Sequence, residues 1–171
     1  MKQLLKLTGC LAVAGLFASC QSVQQEANYQ VIPLPQEIVV EQGAPFILKS
    51  GVKILYPEGN EKMQRNAKFL ADYLKTATGK DFAIEAGTEG KNAIVLALGT
   101  ENENPESYQM KVTGDGITIT GPTEAGVFYG IQSLRKSLPV AVGAYISMAA
   151  VEINDAPLFG YRAAHFHSSL H

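Results

Sequence analysis

The sequence predicts an α+β fold, a two-layer sandwich in which a mainly antiparallel sheet carries two helices packed on one face. Three observations predict it. Short β-rich runs recur from Glu37 onward, separated by glycine and proline punctuation. Two stretches, residues 61–78 and 121–138, repeat their apolar side chains at helical spacing instead of alternating. A Gly114-Asp115-Gly116 turn joins two β-rich runs, and tight turns make antiparallel neighbours. Two amphipathic helices are enough to cover one face of such a sheet.

The chain begins with a segment that reads as an export signal, residues 1–19. Lys2 and Lys6 supply a positive start, residues 7–17 are mostly apolar, and Ala18-Ser19-Cys20 follows. An apolar run of this length is too short to span a bilayer, which takes about 20 residues. Phe17-Ala18-Ser19-Cys20 is similar to a bacterial lipobox, so Cys20 is expected to become the lipidated N-terminus of a cell-envelope lipoprotein, in the periplasm or at the outer membrane. Leu7-Thr8-Gly9-Cys10 matches the pattern by letter but has no apolar run ahead of it. With Cys10 removed and Cys20 acylated, the mature domain has neither a thiol nor a disulfide and depends on packing alone.

Removal of the signal takes two lysines, leaving 12 basic against 16 acidic residues. A net charge near −4 gives no electrostatic footprint for nucleic acid. Membrane contact is therefore expected through the lipid, without a basic patch to reinforce it.

Residues 20–28 are polar and aperiodic and read as a tether. A domain over residues 29–153 follows. Pro33 and Pro35 force an extended start and exclude a central strand there. Residues 37–41, 46–49 and 52–56 are short strands bounded by Gly43, Pro45, Gly51 and Pro57. The first helix spans Glu61–Thr78, with Asn60 as N-cap and Gly79 as stop. Met63, Ala67, Leu70, Leu74 and Ala77 form its buried stripe, and its charges lie on solvated flanks. Residues 82–86 and 93–98 are strands, the second central in the sheet because its apolar run is continuous. Residues 108–113 and 117–120 form the hairpin.

The second helix, within 121–138, buries Val127, Ile131, Leu134 and Leu138. Gly126 and Gly130 lie four apart on a neighbouring face. Each costs a helix about 1 kcal/mol relative to alanine, so close approach of the helix backbone to a sheet is the expected compensation. Residues 144–147 and 149–153 form a final strand pair or a bent strand.

Common catalytic motifs are absent from the sequence. It contains no phosphate-binding glycine loop, no His-Glu-x-x-His and no Gly-x-Ser-x-Gly. Glu101 and Glu103 sit in a polar loop with nothing apolar to raise a pKa. All three histidines, His165, His167 and His171, fall in the last residues. A His-x-His pair can bind zinc or copper, but no carboxylate partner is evident, and satisfied or solvent-exposed histidines are the expectation. No metal and no cofactor is assigned.

Four stretches together resemble bacterial β-N-acetylhexosaminidases of glycoside hydrolase family 20. They are Val31-Ile32-Pro33-Leu34-Pro35; the hairpin and helix with Gly126-Val127-Phe128-Tyr129-Gly130-Ile131-Gln132-Ser133-Leu134; Ile153-Asn154-Asp155-Ala156-Pro157; and Phe159-Gly160-Tyr161-Arg162. The resemblance implies an N-terminal accessory domain followed, over residues 154–171, by the start of a (β/α)₈ catalytic barrel. The family releases terminal N-acetylhexosamine from glycans with retention, using the substrate's own acetamido oxygen as nucleophile. An Asp-Glu pair further along the barrel serves it, and Arg162 matches an arginine that binds sugar hydroxyls. A barrel takes about 250 residues, whereas 16 follow Asp155. The family's Arg-Gly here reads Arg162-Ala163, and its later Asp and Ser-Arg-His fall at His167 and at Ser169-Leu170-His171. The expectation is a non-catalytic fragment with no catalytic residue of its own, meeting N-acetylhexosamine glycans only if a barrel is supplied. The alternative is a surface glycan-binding lipoprotein module without hydrolase activity.

Overall fold

The structure, a computed structural model, describes residues 24–99, 102–140 and 145–156. The expected signal, Cys20, Arg162, the three histidines and the expected start of the barrel beyond Ala156 lie outside the described residues. The elements in order are β1 (Gln24–Glu26), β2 (Glu37–Val40), β3 (Phe46–Leu48), β4 (Lys53–Tyr56) and α1 (Glu61–Thr78). They continue with β5 (Ala83–Ala86), β6 (Ala93–Leu98), β7 (Tyr108–Thr113), β8 (Gly116–Gly121), α2 (Glu124–Ser137), β9 (Tyr145–Met148) and β10 (Val151–Asp155).

Seven strands form the main sheet in the order β2-β10-β7-β8-β6-β4-β5, and β1-β9-β3 form a second, smaller sheet. The α+β class holds. Pairing is antiparallel from β2 through β10 and β7 to β8, then parallel through β6 and β4 to β5. The parallel part has a chain-path cause: β4 and β5 are joined through α1, and a crossover helix returns the chain in the same direction. The expected hairpin is the β7–β8 pair, with Thr113 opposite Gly116.

The register stacks apolar residues in rows across the sheet. Ile54, Ile94, Ile117, Val112 and Val151 make one row. Leu96, Ile119, Met110, Ile153 and half-buried Ile38 make the next. Both rows belong to one core with the buried stripes of α1 and α2, and Phe46, Leu48, Ile146 and Met148 of the small sheet extend it. Each large aliphatic side chain buried this way contributes about 1.5–3 kcal/mol. β6 is central as expected, and its other face forms a minor cluster of Val95 and Ala93 with Leu55.

Local signals account for the helices. Asn60 Oδ1 accepts from the Lys62 and Met63 amides at 3.1 and 3.0 Å, and Gly79, at φ 72°, returns its amide to the Lys75 carbonyl at 2.8 Å. α2 starts at Glu124, three residues later than its glycine-proline start suggested, because Thr123 is the N-cap and accepts from the Gly126 amide. It stops before Pro139, which holds Leu138 extended. The two glycines do mark close approach. A Cβ at Gly126 would overlap the Ser107 carbonyl oxygen, and one at Gly130 would overlap Ile119 Cγ2 and touch the Tyr108 ring.

One expectation is corrected. Residues 24–26, inside the expected tether, form β1 and pair in parallel with β9, Gln24 opposite Tyr145 and Glu26 opposite Ser147. Main-chain hydrogen bonds hold β1, and its side chains are exposed or half-buried, so hydrophobic periodicity gives no sign of it.

Candidate functional site

Residues from three elements and from the bend before β2 come together at the C-terminal end of β10. Asp155, the last residue of β10, accepts the Gln36 amide on Oδ1 at 3.2 Å and the Tyr108 hydroxyl on Oδ2 at 3.3 Å. Tyr108 opens β7, lies opposite Asp155 in register, and shares a 2.6 Å hydrogen bond with Ser133 Oγ of α2. A phenol has one proton. With that proton on Asp155, Ser133 is the donor to Tyr108. The Gln36 side chain donates to the Ala156 carbonyl at 2.6 Å, so one glutamine holds two consecutive residues of the departing chain.

Burial pushes the Tyr108 hydroxyl well above the ordinary tyrosine range; the Ser133 hydrogen bond opposes this, and the Asp155 charge adds to the rise. The phenol therefore stays a donor throughout the physiological range. Beside this clasp lies a cleft of about 290 Å³ whose lining includes Gln36, Asn102, Ser107, Tyr108 and Asp155. Ser107 Oγ is buried without a hydrogen-bond partner among the described residues.

The face of the main sheet turned away from the helices continues as a polar network. Gln109 Nε2 donates to Glu152 and Asn154 at 3.1 Å each, and Asn154 Nδ2 donates to Glu37 at 3.1 Å. Lys111 Nζ lies 3.2 Å from Glu152 and 3.3 Å from Glu41. The hydrogen bond from Lys111, then that from Asn154, holds Glu152 below the usual carboxylate range. The hydrogen bonds to Glu152 and Glu41 in turn hold Lys111 above its ordinary value. Glu152, paired and hydrogen-bonded, therefore stays ionised and offers no proton for acid catalysis near neutrality.

The outer surface of the helix layer carries aromatic rings. Phe69 of α1, 36% exposed, meets Phe128 of α2 with centroids 5.3 Å apart and planes tilted by 52°. Tyr73 donates to the Arg135 carbonyl at 3.0 Å, and the Arg135 guanidinium lies 5.4 Å from the Tyr73 ring.

Sequence reasoning singles out Asn154-Asp155-Ala156 as a boundary but misses Tyr108, Ser133 and Gln36 as its partners. Their separation in the chain hides them; the one usable signal is an acidic residue closing a strand ahead of Pro157. Glu103 is exposed as expected, and Glu101 lies outside the described residues. Among the described residues no group of three His, Cys, Asp or Glu could hold a metal ion, and no helix is long and apolar enough to cross a membrane.

Comparison with known proteins gives this geometry a context. The family model described as Glycosyl hydrolase family 20, domain 2 matches residues 28–156. The chain is similar to a beta-hexosaminidase of Porphyromonas gingivalis (strain ATCC BAA-308 / W83), 30% identical over 167 residues, covering 93% of this chain and 21% of the relative. It is also similar to a beta-hexosaminidase of Vibrio vulnificus, 29% identical over 135 residues, covering 79% of this chain and 14% of that protein. Among solved structures, the GH20 beta-N-acetylhexosaminidase from Streptomyces coelicolor A3(2) superposes with a TM-score of 0.67 at 28% identity, over 78% of this chain and 27% of that one. The chain thus spans about a fifth or less of the length of these two curated relatives.

Proposed function

This chain belongs to glycosyl hydrolase family 20 through its domain 2, and we propose that this domain is the non-catalytic brace of a β-N-acetylhexosaminidase. The complete enzyme would release terminal N-acetylhexosamine from glycans by retaining, substrate-assisted hydrolysis. This domain would hold the catalytic barrel in place without touching the reacting atoms. Asn154 and Asp155, expected to open the barrel, close β10 of this domain instead, so the barrel would begin beyond Ala156, with Arg162 binding sugar hydroxyls. Residues 1–19 would direct export, and Cys20 would anchor the mature protein to the bacterial envelope.

The observation that carries the reading is the clasp at Asp155. The domain grips its last two described residues through Gln36 and Tyr108, at the boundary where the family match ends at residue 156. The open Phe69–Phe128 pair supports the same reading by offering the helix layer as the contact for a neighbouring domain.

Sequencing the genomic DNA beyond the His171 codon tests the proposal. A reading frame for the rest of a family 20 enzyme, continuous or adjoining, is expected. A neighbourhood with no such frame, intact or broken, would overturn the brace reading.

A further inference from the structure

The segment between β1 and β2 turns its apolar side chains in two directions. Val31 and Pro35 are buried in the domain, whereas Ile32, Pro33 and Leu34 between them are exposed, Ile32 to 88% and Leu34 to 64%. Single exposed apolar side chains are ordinary. A run of them on a fixed backbone calls for a function. This backbone is fixed along its length: the Val31 amide donates to the Tyr29 carbonyl at 2.9 Å, and Lys136 Nζ of α2 donates to the Ile32 carbonyl at 2.9 Å. Gln36, just beyond, is held in the clasp. The three side chains therefore form a ridge that is ordered before anything covers it, so a contact there costs little further ordering.

The clasp brings the departing chain to the foot of this ridge. Gln36 holds the Ala156 carbonyl at 2.6 Å, and Leu34 is two residues from Gln36, about 7 Å of extended chain at most. The residues that follow Ala156 are Pro157-Leu158-Phe159, a second apolar run. Three extended residues reach about 11 Å at most, which matches the length of the ridge. Two apolar runs thus start from one anchor, although most of the chain separates them in sequence. The other exposed valines lack this relation. Val40, 75% exposed, stands opposite Val151, at the end of β10 away from Asp155.

We infer that Pro157-Leu158-Phe159 docks on the ridge of Ile32, Pro33 and Leu34, so that an apolar contact joins the clasp in setting the direction of the departing chain. The inference concerns residues of this chain alone and stands whether or not a barrel follows them.

The chain contains no tryptophan, so Leu34→Trp places a single indole on the ridge. Val40→Trp, at the far end of β2, is the control. Acrylamide quenching of each is measured in the full chain, with and without Leu158→Ser and Phe159→Ser together. Loss of the two apolar side chains should raise the quenching constant at position 34 at least about twofold, because side chains in van der Waals contact exclude the quencher. Quenching at position 40 should not change. An equal quenching constant at position 34 with and without the two serines overturns the inference.

A measurement on the unsubstituted chain guards against disturbance by the indole. With isoleucine and leucine methyls and phenylalanine rings isotope-labelled, nuclear Overhauser contacts should join the Ile32 or Leu34 methyls to the Phe159 ring and persist on dilution. Ridge methyls without contacts to residues 157–159 overturn the inference. So do contacts in mixed-label samples that place a second copy of the chain on the ridge. None of these readouts depends on the DNA beyond the His171 codon, so their failure leaves the brace reading standing.

Discussion

Tyr108 donates its hydroxyl proton to Asp155 at 3.3 Å, across a strand pair in which the two residues stand directly opposite each other 47 positions apart in the chain. The same phenol is held from behind by Ser133 at 2.6 Å. One side chain thus ties the exit of the domain to its sheet and to its second helix.

Tyr108→Phe removes the bond to Asp155 and leaves Ser133 without its partner, while the ring still fills its place. The expected cost is about 1–2 kcal/mol in urea denaturation. Hydrogen exchange at the Gln36 amide should rise in Tyr108→Phe and Asp155→Asn alike, because both loosen the carboxylate that this amide faces. Unchanged exchange at Gln36 in both variants would remove the clasp from the account.

Gly126 packs against the Ser107 carbonyl, a backbone atom with no rotamer to escape into. Alanine favours a helix over glycine by about 1 kcal/mol, so propensity alone predicts that Gly126→Ala stabilises. The overlap should win, with a net loss of about 1–3 kcal/mol. Gly130→Ala meets a side chain, Ile119, and should be partly relieved when combined with Ile119→Ala. That non-additivity in a denaturation cycle separates steric clash from helix propensity.

The first helix is legible in the sequence nearly to the residue, because Asn60 and Gly79 are local signals and Met63, Ala67, Leu70 and Leu74 mark one face. β6 and the β7–β8 hairpin are legible for the same kind of reason: a continuous apolar run and a Gly-Asp-Gly turn act at short range. β1 is not, since Gln24-Gln25-Glu26 pairs through its main chain and buries little. The parallel half of the sheet is hidden too, because the place of β6 between β8 and β4 is decided by distant packing. The clasp depends on Tyr108, Gln36 and Asp155 meeting in space, and no pattern in sequence announces that. Cys20 and Arg162, read from sequence and resemblance, lie outside the described residues.

The Glu152 carboxylate has its folded-state pKa lowered, chiefly by Lys111 and Asn154. A lowered carboxylate pKa contributes stability that is present above its unfolded value, near 4.5, and is lost as pH falls through the folded one. Glu152→Gln should therefore flatten the decline in thermal midpoint between neutral pH and the acid range, relative to the unmodified chain. Parallel midpoint curves for the two proteins would show that the Lys111–Glu152 pair carries no such linkage.

Tyr108 works in the opposite direction. Its folded pKa is raised by burial, so its contribution is complete below the ordinary tyrosine value of 10 and is lost at more alkaline pH. Alkaline unfolding followed by tyrosinate absorbance should lose its steepest component in Tyr108→Phe. Half-buried Tyr29, raised in the same direction by desolvation and donating its hydroxyl to the Ala149 carbonyl, should still titrate late.

The central claim is that this domain braces a hexosaminidase without catalysing. Incubating the purified 171-residue chain with 4-nitrophenyl N-acetyl-β-D-glucosaminide tests it most directly. Nitrophenol should be released no faster than in buffer, at any protein concentration and in the Arg162→Ala variant alike. Release that scales with protein concentration and disappears in Arg162→Ala would contradict it.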